Sequence, residues 1–171
     1  KNIEKKTNHD IKALEYFIKE KLKSNPNISK YSEFVHFALT SQDINSITNT
    51  ISIKRCVDYI LLPNINNIIQ KLFNLSNKWK NDYMISRTHG QPAVTTSMGK
   101  EIMVFVSRLK TQYSKLIQIN YSTKIGGAVG NLNAHVFCYE NVDWEKLLNS
   151  FVIDNFGIQR NMYTTQVDNY D

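Results

Sequence analysis

Long apolar runs are missing from this sequence. A helix that crosses a bilayer needs about 20 consecutive apolar residues, and no run approaching that length occurs in the chain. The first ten residues, KNIEKKTNHD, also lack the apolar stretch and the small-residue cleavage site of a secretory signal peptide. We therefore expect a cytoplasmic protein with no membrane partner.

Cysteine is scarce, and the spacings typical of metal sites are absent. The two cysteines, Cys56 and Cys138, lie in apolar-periodic segments and form no CxxC pair, which predicts reduced, buried thiols. The histidines, at positions 9, 36, 89 and 135, share no H-x-x-x-H or H-x-E spacing, so no metal site is expected. The glycines of segment 126–130 fit neither a Walker motif nor G-x-G-x-x-G, which argues against a phosphate-binding loop.

Acidic residues are fewer than basic ones, and the formal net charge is +6. The lysines are spread along helix faces, and no RNP, zinc-finger or basic-zipper pattern is present. We therefore expect no nucleic-acid partner. The same positive field would attract small polyanionic substrates.

Helical periodicity dominates the chain, which predicts an all-α bundle. Asp10 is expected to cap one helix and Asp43 to begin another, Pro63 to interrupt or kink a helix, and Asp143 and Gly157 to bound the last one. A long helix with a broad apolar stripe is predicted over 96–120, after a polar loop over 81–95. Only residues 83–85 and 162–167 could be extended. The broad stripes indicate burial against other subunits.

The loop Arg87-Thr88-His89-Gly90-Gln91-Pro92 is the clearest candidate for chemistry. Imidazole titrates near physiological pH, so a histidine in a polar loop can transfer protons, and Arg87 would hold anions nearby. A solvated histidine without a role is the alternative for this hexapeptide taken alone.

Polar clusters at other helix boundaries extend the candidate site. Thr40 and Ser41 precede free backbone N–H groups at a helix start, which suits a carboxylate or phosphate. Simple helix capping explains the same two hydroxyls. Asn8-His9-Asp10 is either a second binding cluster or a surface histidine beside its aspartate, and Gln166 is uninformative by itself.

Together these segments resemble the adenylosuccinate lyase family of the fumarase/aspartase superfamily, in order and over essentially the whole chain. The matching segments are Thr7–Asp10, Phe34–Asn45, Ser86–Ala93, Gly99–Glu101, Lys124–Ile125, Gly127–His135, Val142–Trp144 and Tyr163–Gln166. The run Gly-Ala-Val-Gly-Asn-Leu-Asn-Ala-His favours this family over the fumarase and argininosuccinate lyase branches.

The resemblance implies a long-helix bundle of the fumarase/aspartase type. Residues 1–38 would be the end of a smaller N-terminal helical domain, and residues 39–171 the first part of the central bundle. The implied activity is elimination of fumarate from adenylosuccinate, giving AMP, and from the succinyl-aminoimidazole-carboxamide ribotide of purine biosynthesis. A homotetramer with shared active sites and no metal or organic cofactor is also implied.

Roles for single residues follow from the same resemblance. His89 corresponds to the general acid that protonates the departing nitrogen, and Thr40 and Ser41 to ligands of the succinyl or fumarate carboxylate. The substrate-binding positions are Asn8, His9, Asp10 and Gln166, and the supporting ones are His36, Arg87 and Lys124. For His36, apolar neighbours make a packed histidine an equal alternative.

The family's general base is absent from these residues. It lies on a serine-bearing loop with the pattern Gly-Ser-Ser-x-Met-Pro, which the sequence does not contain. The chain also opens on Lys1 instead of Met, so we expect it to act with the remaining part of the same enzyme. Two alternatives stay open: a sister lyase such as argininosuccinate lyase, and a non-catalytic helical assembly module.

Overall fold

The computed structural model describes residues 1–171, and most of them are helical. The helices are α1 (Glu4–Thr7), α2 (Asp10–Leu22), α3 (Pro26–Ser29), α4 (Ser41–Cys56), α5 (Leu62–Lys78), α6 (Met98–Ile117), α7 (Asn133–Cys138) and α8 (Trp144–Phe156). The strands are β1 (Tyr83–Thr88), β2 (Gln91–Ser97), β3 (Ser122–Thr123) and β4 (Gln159–Arg160). The predicted all-α class is confirmed, with two small sheets added. Every helix falls short of the combined length and apolar character that crossing a bilayer requires.

The chain folds as two compact units. The split unit comprises Lys1–Ser52 and Asn120–Asp171, and the hairpin unit comprises Ile53–Ile119. The domain boundary expected after residue 38 stays a prediction.

The core of the split unit is built around α4 and α8. Its buried apolar side chains are Ile47, Ile125, Leu132, Leu148, Val152 and Ile158. Asp143 accepts a hydrogen bond from the backbone N–H of Lys146 at 3.0 Å, and Gly157 ends α8 with a φ of 61°. Both ends of α8 are as predicted, because a short carboxylate caps a helix start and glycine tolerates the left-handed conformation past its end.

A parallel pair of short strands lies within the second part of the split unit, Asn120–Asp171. Ser122 pairs with Gln159 and Thr123 with Arg160. The extended segment expected at 162–167 is therefore displaced: the strand lies earlier, where it can pair with β3.

The hairpin unit is built on the antiparallel pair α5 and α6. Ser76 near the end of α5 donates a hydrogen bond to the carbonyl of Gly99 at the start of α6, at 2.6 Å. A Cβ at Gly99 would lie 2.3 Å from the carbonyl oxygen of Ser76, so only glycine permits this approach. Further along α6, Lys110 lies over the ring of Phe73, which comes earlier on α5 than Ser76. The two helices therefore run antiparallel.

At Pro63 the expected interruption takes the form of a widened turn, and the helix continues beyond it. Residues Val57–Leu61 form a π turn in which the N–H of Leu62 donates to the carbonyl of Val57, and α5 continues from Leu62. Proline lacks an N–H and crowds the carbonyl four residues earlier, and the wider turn accommodates both effects.

Two local predictions are wrong. Asp10 does not cap α2: the helix starts at Asp10, and the Nδ1 atom of His9 accepts the capping hydrogen bond from Lys12 N at 3.3 Å. Cys56 and Cys138 are free thiols, as expected, but both are exposed. Other side chains, such as Ile47 on α4 and His135 on α7, form the buried faces of their helices.

Apolar side chains remain exposed on the hairpin unit. On α6, Val106 is buried, whereas Met98, Phe105 and Ile117 of the same predicted stripe are each more than one-third exposed. Ile68 of α5 is also half exposed. The stripe is therefore wider than this chain alone can cover.

Candidate active site

His89 lies at the tip of the hairpin formed by β1 and β2. Because Thr88 pairs with Gln91, the turn consists of His89 and Gly90 alone, with φ values of 52° and 78°. Two consecutive positive φ values in a two-residue connection define a type I′ turn, whose twist suits antiparallel strands. The polar loop expected over 81–95 is therefore wrong, although the extended conformation of 83–85 is confirmed.

Neighbouring side chains brace the hairpin tip. The Nη1 atom of Arg87 donates a hydrogen bond to the carbonyl of Gly90 at 3.2 Å. The hydroxyl of Ser86 donates to the carbonyl of Val94 across the two strands. His89 itself is exposed. An imidazole held on a braced turn and open to its surroundings can give a proton to a reactant from outside the hairpin.

The cluster Asn8-His9-Asp10 occupies the turn between α1 and α2. Asn8 ends α1 with a φ of 51°, and His9 caps α2 through Nδ1. Since Nδ1 accepts a hydrogen bond from a backbone N–H, the ring proton of neutral His9 lies on Nε2, which leaves a donor directed away from the helix. All three side chains are exposed.

His36 is half-buried between the start of α2 and the start of α4. Burial lowers the pKa of its imidazole, and the charges of Glu15, Lys12, Asp43 and His9 act on it in turn. The nearby carboxylates raise the pKa and the nearby cations lower it, so burial decides the direction. His36 is thus a largely neutral, packed side chain within electrostatic reach of two other candidate clusters.

Thr40 and Ser41 stand at the start of α4 with their hydroxyls unused. The backbone N–H of Thr40 donates to the Oδ2 atom of Asp43 at 2.8 Å, which is one half of a capping box. Neither hydroxyl hydrogen-bonds within the chain, and both side chains are half-buried. Asp43 therefore does the capping, and the two hydroxyls are free for a ligand.

Asp43 and Lys124 form a fully buried ion pair beneath this helix start. Both side chains are 0% exposed, and Lys124 Nζ lies 2.5 Å from Asp43 Oδ1. The ammonium group also donates to the carbonyl of Gly127 at 2.6 Å. Two buried charges in contact, with further hydrogen bonds to backbone, meet the conditions under which burial of an ion pair is tolerated.

A second buried contact lies one turn further along α4. The hydroxyl of Ser46 donates to Asp168 Oδ2 at 2.7 Å and accepts from the hydroxyl of Thr123 and the N–H of Lys124, both at 3.0 Å. Asp168 also accepts from Asn161 Nδ2 at 2.7 Å. These bonds tie the segment carrying Gln166 to the same face of α4.

The glycine-rich loop brings backbone segments close together. A Cβ at Gly127 would lie 3.1 Å from the carbonyl oxygen of Ala38, and a Cβ at Gly130 would lie 2.3 Å from that of Thr164. Both glycines have positive φ, of 78° and 81°. The loop therefore packs against Ala38, just before Thr40, on one side and against Thr164, just before Gln166, on the other.

A cleft lies beside the Gln166 segment. Its volume is about 470 Å³, and its lining includes Gly130, Arg160, Tyr163 and Thr164. Arg160 donates from Nε to the carbonyl of Ile125 at 2.8 Å, and burial lowers the pKa of its guanidinium. Gln166 is exposed next to this cleft.

His135 is a buried histidine to which the sequence assigns no role. Its ring packs edge-on against Trp144 at a centroid distance of 5.0 Å, and its Nδ1 atom has no hydrogen-bond partner. Burial lowers the pKa of its imidazole more than the Asp43 carboxylate raises it, so the ring is held neutral.

The candidate residues fall into two groups by unit. The split unit contains Asn8, His9, Asp10, His36, Thr40, Ser41, Lys124 and Gln166. The hairpin unit contains Arg87 and His89. The sequence gave no role in the candidate site to Asp43, Ser46 or Asp168. For Asp43 and Ser46 the available signal was their spacing: residues three positions apart on a helix share one face.

Comparison with known proteins identifies the family of this chain. The profile of a family described as Lyase (Lyase_1) matches residues 1–171. A protein of Vibrio cholerae named adenylosuccinate lyase is 42% identical over 171 residues, which are all of this chain and 38% of that protein. Proteins with the same name from Buchnera aphidicola of Acyrthosiphon pisum and from Dictyostelium discoideum are 48% and 46% identical, again over all of this chain and over 37% and 38% of their own lengths. The chain thus spans little more than a third of these curated relatives.

A solved structure shares the fold. The crystal structure of 3-carboxy-cis,cis-muconate lactonizing enzyme from Pseudomonas putida superposes with a TM-score of 0.73, over 94% of this chain and 35% of that one. The two sequences are 15% identical, so the likeness concerns the fold alone.

Proposed function

Because this chain belongs to the lyase family whose profile matches it from end to end, we propose that the protein eliminates fumarate from adenylosuccinate and from the succinyl-aminoimidazole-carboxamide ribotide. A base takes the Cβ proton of the succinyl group, the carbon–nitrogen bond breaks, and its electron pair passes to the nitrogen, which an acid protonates. The products are fumarate and either AMP or the aminoimidazole-carboxamide ribotide. The whole-chain similarity to relatives named adenylosuccinate lyase carries this proposal.

His89 is the proposed general acid. The braced type I′ turn and the exposure of its ring support this role, because an acid must reach the leaving nitrogen without first breaking internal contacts. Arg87 supports the turn through its bond to Gly90. The base is expected outside these 171 residues.

Thr40 and Ser41 are the proposed ligands of a substrate carboxylate. Their free hydroxyls at a helix N-terminus support this assignment, since the helix dipole and unpaired donors there favour an anion. Asn8, His9, Asp10 and Gln166 are proposed to bind the rest of the substrate, with His36 and Lys124 supporting them. No cofactor is proposed, because the adjacent carboxylate acidifies the proton and protein donors can stabilise the developing charge.

Comparing two substrates tests the function. The kcat/KM of the whole protein for adenylosuccinate should be at least about 100-fold higher than its kcat/KM for argininosuccinate. A pocket built for one leaving group leaves its polar groups unpaired when the other is bound. Faster turnover of argininosuccinate would identify a sister lyase. Turnover of neither, together with no binding of AMP, would indicate a non-catalytic assembly module.

A homotetramer with shared active sites is the proposed assembly. The exposed apolar side chains of α5 and α6 support it, because such wide stripes need covering by other helices. Sedimentation of the whole protein should give four times the subunit mass, and a monomeric mass would contradict the proposal. The free thiols fit the cytoplasm as its location, which fractionation of the source cells would test.

A further inference from the structure

The carboxylate of Asp43 is the meeting point of four hydrogen-bond donors from two distant parts of the chain. Its Oδ1 atom accepts from Gly126 N at 2.9 Å and from Lys124 Nζ at 2.5 Å. Its Oδ2 atom accepts from Thr40 N at 2.8 Å and from Gly127 N at 3.1 Å. Each oxygen is therefore occupied by two donors, which uses the full accepting capacity of the group.

These four bonds join the start of α4 to the glycine-rich loop. Oδ2 alone bridges Thr40 to Gly127, and Oδ1 bridges Gly126 to Lys124, which in turn donates to Gly127. The position of Thr40 relative to the loop is thus fixed by one buried group. The loop also packs against Ala38, two residues before Thr40, which leaves Thr40 little room to move relative to the loop.

We propose that Asp43 is a positioning residue, whose buried carboxylate sets the place of the Thr40 and Ser41 hydroxyls and so the affinity for a substrate carboxylate. The inference rests on the proposed function of those hydroxyls. Asp43 does not touch the ligand: it acts through Thr40 and the loop. A purely structural carboxylate in the same place would change the stability of the fold and leave the affinity for fumarate unchanged.

The substitution Asp43→Asn separates these two roles in the whole protein. The amide keeps the size of the side chain, and its oxygen can still accept from Lys124 and Gly126. Its NH₂ group then faces Thr40 N and Gly127 N, which are both donors, so the start of α4 must shift. In Asp43→Asn combined with Lys124→Met no charge stays buried, and this second variant serves if the first does not fold.

Glu15→Gln is the matched control. Glu15 is also buried and accepts from two lysines, Lys12 at 2.8 Å and Lys19 at 3.1 Å, but it bonds to neither Thr40 nor the glycine-rich loop. Its loss removes a buried carboxylate from the same unit, with partner lysines that are 48% and 18% exposed. It therefore controls for the loss of a buried carboxylate that has no contact with Thr40 or the glycine-rich loop.

Fumarate inhibition and amide exchange are the two readouts, both taken well below the melting temperature. In the folded Asp43 variant the inhibition constant of fumarate should rise about tenfold or more, with a matching fall in kcat/KM, as expected when hydroxyls miss a charged ligand. Hydrogen exchange should accelerate in peptides covering residues 40–43 and 124–130. Glu15→Gln should change neither quantity.

The two readouts distinguish the possible failures. Faster exchange at 40–43 with an unchanged fumarate constant would overturn the positioning role. Unchanged exchange in the Asp43 variant would overturn it as well. If the wild-type protein neither binds fumarate nor turns over adenylosuccinate, the proposed function fails, while the exchange data still report whether Asp43 fixes the start of α4.

Discussion

Gly130→Ala should disturb the Gln166 segment, whereas Gly157→Ala should not. Both glycines have positive φ, of 81° and 61°, so an alanine at either position carries a backbone strain of about 1 kcal/mol. They differ in the space around them. A Cβ at Gly157 meets no atom within 4 Å, but a Cβ at Gly130 would lie 2.3 Å from the carbonyl oxygen of Thr164 and 2.7 Å from that of Thr165.

The added methyl group at Gly130 must displace its neighbours. The carbonyl of Thr164 has to move by about 1 Å to reach an ordinary contact of 3.4 Å, and Gln166 is two residues away. Overpacking of this kind typically costs about 1–3 kcal/mol beyond the backbone strain. A misplacement of about 1 Å near a binding group can lower turnover by about 100-fold.

Denaturant unfolding and steady-state kinetics on the whole protein measure both effects. We expect Gly157→Ala to lose about 1 kcal/mol of unfolding free energy and to keep its kcat/KM for adenylosuccinate. Gly130→Ala should lose more stability and at least about tenfold in kcat/KM. If the two variants behave alike in both assays, the reasoning about the Gly130 contact is refuted.

Three further predictions concern the candidate site and the histidines His135 and His36. His89→Gln should lower turnover by about 10²–10⁴-fold while substrate still binds, and near-normal turnover would remove His89 as the acid. Replacing Thr40 and Ser41 together by alanine should weaken fumarate binding, since each hydrogen bond to a charged group contributes about 1.5–3 kcal/mol. Unchanged fumarate affinity would remove these two hydroxyls as ligands of the carboxylate. Burial lowers the pKa of His135 and of His36. Below about pH 6.5 these two imidazoles are therefore more fully protonated in the unfolded chain than in the folded one. The unfolding free energy should therefore fall as the pH is lowered from 7.5 to 5.5, and it should fall less steeply in His135→Gln than in the wild-type protein. Equal slopes in the two proteins would contradict this.

Patterns within one element were readable from the sequence. The helix of 144–156 has its apolar positions, its capping Asp143 and its terminating Gly157 in one local stretch, and the structure has the same bounds. The class of the fold follows from several such stretches. The hairpin was missed because its strands are mostly exposed and polar, so no apolar alternation marks them, and a His-Gly turn is an uncommon type I′ sequence.

Contacts between distant segments were not readable. The Asp43–Lys124 pair joins residues 81 positions apart, and neither its burial nor the unpaired Nδ1 of His135 leaves a local trace. Thr40 and Ser41 could be proposed from their place at a helix start. Only the structure shows that Asp43 takes the capping role and leaves the two hydroxyls free. The exposed thiols were missed for a related reason, because local apolar periodicity does not say which face is covered.

Mixing two inactive variants of the whole protein tests most directly whether His89 and the Thr40–Ser41 pair serve one shared active site. One variant carries His89→Gln, and the other carries alanine at positions 40 and 41. If each site takes these clusters from different subunits, random reassembly at equal amounts leaves both clusters intact in about a quarter of the sites. We therefore expect activity on adenylosuccinate to return to about a quarter of the wild-type value. No recovery after verified subunit exchange would mean that both clusters serve a pocket of the same chain, and the shared-site account would be wrong.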